Sequence, residues 1–168
     1  MDKTWYLENL KRKMGPYYDI QEDVAHNGYL CDIYARFFIR NERYIATKKA
    51  VIYGVEKNQH IFVKYVPKIG VEELNHLTEH LDYVVNNWVK PSEDHMSTFV
   101  RGILVTDGII ETAAAEQAKK YKCEKSYFFG IQGWTYGGIN LVDLNDSSNC
   151  VHNRRGKEDL HFFVIEDK

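Results

Sequence analysis

The stretch Tyr29–Arg40, YLCDIYARFFIR, decides the fold class. Cys31, Ile33, Ala35, Phe37 and Ile39 alternate with Asp32, Tyr34, Arg36, Phe38 and Arg40. A period of two sends successive side chains to opposite faces of a pleated strand, so this is a long strand with a core side and a polar, partly aromatic side. Just before it, Asn27-Gly28 is a strong hairpin-turn signal. Further upstream, WYLENLKRKM reads as a short amphipathic helix with Trp5, Leu7 and Leu10 on one side, stopped by Gly15-Pro16. Downstream, NER turns the chain, YIATKKAVIYGV is a second strand, EKNQ turns it again, and HIFVKYV is a third before Pro67. An antiparallel meander of three strands is the expected result.

Residues 71–89 carry the clearest helical period: Leu74, Leu77, Leu81, Val84, Val85 and Trp88 form a buried stripe. Within that helix, NHLTEHL contains His-x-x-Glu-His, the zinc-ligand spacing of inverted zinc peptidases. On a helical wheel His76, Glu79 and His80 point away from the leucine stripe, so a solvated polar face is the better reading. A peptidase would need a third ligand from a later helix, where Glu111 and Glu116 are the available acids. Beyond Pro91 the chain reads as the strand FVRGILVTDG, the small-residue helix IETAAAEQAKKY and the strand KSYFFGI. INLVDL and CVHNRR then form a C-terminal hairpin, and LHFFVIE is a final strand.

Composition bounds the function classes. The chain has 168 residues, 44% of them apolar and 14% aromatic, enough for one folded domain with a substantial core. A formal net charge of -2 gives no global attraction to nucleic acid or acidic membranes, so polyanion binding would need a local basic patch. Cys31, Cys123 and Cys150 are widely spaced with no C-x-x-C pair, which argues against a disulfide framework or a structural zinc site. No apolar signal core opens the chain and no run approaches membrane-spanning length, so the expected address is the cytoplasm, where the Asn145-Asp146-Ser147 sequon has no meaning.

The chemical candidates differ in strength. FGIQGWTYGGIN lacks the Lys-Ser/Thr of a phosphate-binding loop, and its glycines read as tight turns, with Trp134 and Tyr136 packed on the sheet or forming a stacking platform. Asp107 reads as a helix cap, and Asp143 and Asp146 as turn residues. In the strand region 32–49, Arg36, Arg40, Arg43, Lys48 and Lys49 outnumber Glu42, with Tyr34, Phe38 and Tyr44 interleaved. Cations that pair with phosphates beside rings that stack on bases make a nucleic-acid surface. The competing reading is a half-exposed sheet face whose long basic chains cover apolar surface.

The element order, with NGYLCDIYA as a second strand and RGILVTDGIIETAAAEQAKKY as a later strand and helix, resembles the restriction-endonuclease-like core of the PD-(D/E)xK nuclease superfamily. The resemblance covers roughly residues 1–130. It implies a mixed α/β sheet flanked by helices, Asp32 as a metal-binding acid and Lys64 as the lysine that orients the attacking water. The chain departs from that pattern at Phe62, where the family places the second acid. One carboxylate holds Mg²⁺ poorly. An active Mg²⁺- or Mn²⁺-dependent nuclease would therefore need Glu56, or a migrated acid at Glu72 or Glu73. The expectation is a single domain over 1–168, with its core over about 1–130 and a β extension over about 131–168. It is a non-catalytic binding module without a cofactor, with DNA or RNA as partner and a homodimer left open. The nuclease and the zinc peptidase are the enzymatic alternatives.

Overall fold

The computed structural model describes residues 1–44, 51–90 and 95–165, and for residues 40–44 and 51–56 the backbone alone. The elements run α1 (Lys3–Met14), β1 (Asp19–His26), β2 (Tyr29–Tyr44), β3 (Val51–Tyr65), α2 (Val71–Asn87), β4 (His95–Thr106), α3 (Thr112–Lys120), β5 (Cys123–Ser126), β6 (Trp134–Asp143), β7 (Val151–His152) and α4 (Leu160–Phe163). One mixed sheet takes the order β1-β2-β3-β4-β6-β5, with β7 also paired to β6. β1, β2 and β3 form the antiparallel meander, while β3, β4 and β6 are parallel neighbours. β4 lies between two parallel strands under helices on both sides, so it is buried almost throughout, as strands covered on both faces are. The fold is mixed α/β. Among the described residues no helix is long and apolar enough to cross a membrane.

The meander is built from different segments than the turn signals suggest. DIQEDVAH is its first strand, paired with β2 across the Asn27-Gly28 turn, whose φ values of 50° and 80° suit that dipeptide. NER and EKNQ are not turns. Both sit inside a long β2–β3 ladder, with Arg43 opposite Tyr53, Arg40 opposite Glu56 and Phe38 opposite Asn58. Backbone pairing does not depend on side-chain polarity where a strand face meets solvent, so polar residues there need not break a strand. The second expected strand falls partly on residues 45–50, outside the described residues.

Two hydrophobic layers cover the sheet. On one face α2 and α3 bring Leu74, Leu77, Leu81, Val84, Ala114 and Ala118 against Phe62, Val100, Leu104 and Ile139. On the other, Tyr6, Leu10 and Met14 of α1, spaced by one helical turn, pack with Phe163 of α4 on Ile33, Ile61, Ile103 and Val142. The α1 core stripe is thus Tyr6, Leu10 and Met14, with Trp5 and Leu7 half-buried beside it. The expected final strand LHFFVIE is not a strand over its described residues, 160–165. Its first turn is helical because Phe163 is driven into the α1 layer, and Tyr6 Oη donates to Phe163 O at 2.7 Å. Buried Arg101 of β4 forms an ion pair with Asp159 and holds this C-terminal segment to the sheet. The C-terminal hairpin exists but is short. After His152 the Asn153 side chain replaces the ladder, accepting from Ile139 N at 3.0 Å and donating to Gly137 O at 3.0 Å.

The strict alternation of β2 breaks at one place. Tyr29 and Cys31 are buried under α2, whereas Ile33 and Ala35 are buried under α1. Asp23, opposite Asp32 in the hairpin, has φ +49°, a left-handed conformation that Asp tolerates. The Asp23–Asp32 pair is missing from an otherwise constant register. The hairpin tip therefore turns over between these residues and presents Tyr29 to α2.

Close approach of α2 depends on Gly102. A Cβ there would lie 2.5 Å from Leu77 Cδ1 and 2.9 Å from its Cδ2 and Cγ. Overpacking of this kind costs ~1–3 kcal/mol. Gly102→Ala should lower unfolding stability by that order in urea melts, and Gly102→Ala with Leu77→Val should recover part of the loss.

Candidate functional site

The histidine-bearing stretch of α2 sits differently from its expected polar face. His76 and Glu79 are exposed, but His80 is only 3% exposed. Its position three residues after Leu77 and four before Val84 already puts it beside the leucine stripe. The imidazole stacks on Tyr29, with centroids 4.5 Å apart and planes at 11°, and meets the Phe62 ring edge-on at 4.5 Å. Burial, aided by the neighbouring His26, lowers its pKa to about 4, so the ring is neutral near pH 7. Among the described residues no three His, Cys, Asp or Glu side chains gather as a metal-holding group, so His76, Glu79 and His80 do not form one, although all three border one cavity.

A cavity of about 230 Å³ opens beside this ring, walled by the Asn27-Gly28 turn, Tyr29, Lys64, His76, Glu79 and His80. Lys64 Nζ lies 4.9 Å from the Tyr29 ring centroid. Burial raises the Tyr29 pKa, so its hydroxyl stays protonated. Tyr29 Oη and both His80 ring nitrogens are buried and have no hydrogen-bond partner among the described residues.

A second groove, of about 570 Å³, lies at the C-terminal end of α2 and is lined in part by Tyr34, Arg36, Phe38, His60, Trp88 and Lys90. Its floor is aromatic. Trp88 meets Tyr34, His60 and Phe62 edge-on at 5.7–6.0 Å, and Tyr34 Oη shares a 2.8 Å hydrogen bond with His60 Nδ1. Burial first, then the Arg36 guanidinium and His26, lowers the His60 pKa to about 4. Phe38 is 51% exposed, and Arg36 and Lys90 face solvent. Arg36 and Phe38 therefore share one groove, as the sequence pattern expects. The side chains of Arg40 and Arg43 are not described, and Lys48 and Lys49 lie outside the described residues.

One lining residue connects the groove to a turn that carries more exposed rings. His95 lines the groove, bonds Gln132 O at 2.7 Å through Nδ1, and so ties it to the 127–134 turn. There Phe128 and Phe129 have φ of 48° and 54°, and both rings are exposed together with Ile131 and Trp134. Trp134 thus faces solvent, while Tyr136 packs under the Arg155 guanidinium at 4.0 Å. Aromatic residues in this left-handed conformation are uncommon, and nothing in the local sequence except the flanking glycines signals it.

The residues of the nuclease alternative have other partners. Asp32 Oδ2 accepts from Tyr65 N at 2.7 Å, and Oδ1 pairs with Lys3 of α1 at 2.6 Å. Asp32 is thus a brace at the hairpin turnover. Lys64 points to Tyr29 beneath α2 instead. Glu73 accepts from Gly70 N at 3.0 Å, the reach-back half of a capping box, and Glu72 is exposed in the first turn of α2. Asp107 does not cap α3, whose preceding residue is Glu111; it accepts from Tyr65 Oη at 2.6 Å. Asp143 and Asp146 serve their turns, accepting from Asn145 N and Ser148 N.

If Asp32 is a brace, its loss should be felt without any metal. Asp32→Ala strands the Tyr65 amide and should cost ~1–3 kcal/mol. Lys3→Ala removes only a half-exposed ion-pair partner and should cost less than ~1 kcal/mol. Chemical denaturation of both variants, with and without Mg²⁺, measures the difference.

A family model described as Domain of unknown function (DUF8052) matches residues 2–165. No curated protein and no solved structure matches the chain. With nearly its whole length matched, the chain belongs to the family described as Domain of unknown function (DUF8052).

Proposed function

We propose that this protein is a non-catalytic binding module that takes single-stranded nucleic acid along the groove beside the C-terminal end of α2. The observation that carries this reading is the chemistry of the groove wall. Arg36 and Lys90 stand beside Phe38, Trp88 and Tyr34, with no carboxylate among the described lining residues. Phosphates pair with the two cations, and unstacked bases find the half-exposed Phe38 ring and, further along, Trp134 and Phe128. The slightly negative chain as a whole makes this a local attraction, confined to one end of the sheet.

A strand is favoured over a duplex because flat rings engage base faces, which a duplex keeps stacked. The non-catalytic part of the reading rests on Asp32, whose two oxygens already serve Tyr65 and Lys3. The resemblance to restriction-endonuclease-like proteins stands as a proposal about ancestry of the core, with a binding surface in place of the catalytic one.

Fluorescence anisotropy at low salt with labelled DNA and RNA oligonucleotides tests this. Single strands should bind more tightly than duplex. Arg36→Ala should flatten the log–log salt dependence by about 0.7 for one lost phosphate contact. Phe38→Ala should cost ~1–3 kcal/mol, the worth of one stacked base. No binding, or binding indifferent to both substitutions, would sink the reading.

A further inference from the structure

The cavity between the β1–β2 hairpin tip, β3 and α2 is a second site, separate from the groove. Its floor is unusual for a protein interior. Tyr29 and His80 stack face to face there, 6% and 3% exposed. Tyr29 Oη, His80 Nδ1 and His80 Nε2 nonetheless have no hydrogen-bond partner among the described residues. Buried polar atoms are nearly always paired, and several unpaired ones around one cavity call for a reason. Packing alone does not supply it, since phenylalanine would keep the Tyr29 stacking without burying a hydroxyl.

We infer that this cavity binds a small zwitterion, an α-amino acid in size and charge. The Lys64 ammonium, which has no carboxylate partner among the described residues, would pair with a ligand carboxylate, and the buried Tyr29 hydroxyl in the same wall is an unsatisfied donor that a small shift of the ring would bring to it. The neutral His80 ring presents one N–H donor and one acceptor, and Glu79 at the rim accepts from an ammonium group. The cavity lining thus carries one positive and one negative side chain, Lys64 and Glu79, the pair of charges a zwitterion complements. The volume of about 230 Å³ falls below the range of about 300–1,000 Å³ typical of drug-sized ligands, which fits a compact metabolite. The hairpin turnover at Asp23 and Asp32 is what delivers Tyr29 to this place.

Isothermal titration calorimetry of the full chain with glycine, L-alanine, L-serine and L-glutamate, against acetate, methylamine and inorganic phosphate, tests the assignment. At least one amino acid should bind at least tenfold more tightly than acetate or methylamine. Lys64→Met should lower that affinity tenfold or more while leaving oligonucleotide binding unchanged, so this site and the groove fail independently. Tyr29→Phe should weaken binding about tenfold, the effect of one hydrogen bond to a charged group. It should also leave the ligand-free melting temperature the same or higher, because it removes a buried hydroxyl that the protein does not satisfy. The inference is overturned if no amino acid binds, if acetate or phosphate binds as well as the best amino acid, or if Tyr29→Phe lowers the ligand-free melting temperature.

Discussion

Leu77 rests against the bare backbone of Gly102, and the depth at which α2 seats on the sheet follows from that contact. A helix held this close buries its whole inner side, including His80, which slots between Tyr29 and Phe62. Two turns later Trp88 closes on Tyr34, His60 and Phe62. The two candidate sites are the gaps left at either side of this ring cluster. One is bounded by His80 and the hairpin tip, the other by Trp88 and the strand face. Both would change shape if α2 rode higher.

The second constraint is the turnover of the β1–β2 hairpin. A regular strand would send Cys31 and Ile33 to the same face, yet they enter opposite layers. Asp32 makes this tolerable by giving the Tyr65 amide a carboxylate acceptor where the ladder lapses, and Lys3 neutralises that carboxylate. An acid that reads as a metal ligand in sequence thus serves the backbone. The arrangement places Tyr29 under α2 and leaves Arg36 and Phe38 on the groove.

Much of this was legible from residue patterns. The leucine stripe of α2, the Asn27-Gly28 turn, the alternation around β2 and the α/β class are local or periodic signals, and they survive folding because tertiary packing agrees with them. The basic, aromatic character of Arg36 and Phe38 was equally visible. Other features depend on what meets across the sheet. NER and EKNQ carry turn-like residues, but their pairing partners hold them extended. LHFFVIE has a strand-like composition, yet Phe163 finds the α1 layer and Asp159 finds Arg101. His80 looked like part of a polar face because wheel position alone does not reveal how wide the buried stripe is. The Tyr29 ring that covers it comes from a segment some fifty residues away. The unpaired hydroxyl and imidazole have no sequence signature at all.

The account turns on whether His80 is a core ring or a surface one. A pH titration of its carbon-labelled imidazole by NMR, assigned with His80→Phe, reads this directly. A buried ring stacked on Tyr29 should stay neutral down to a pKa of about 4. Because the unfolded imidazole titrates near ~6.5, the His80 contribution to folding stability should be fully present above that pH and lost as pH falls from there toward 4. A midpoint for His80 near ~6.5 in the folded protein, the value of a solvated histidine, would contradict the seating of α2 and with it both candidate sites.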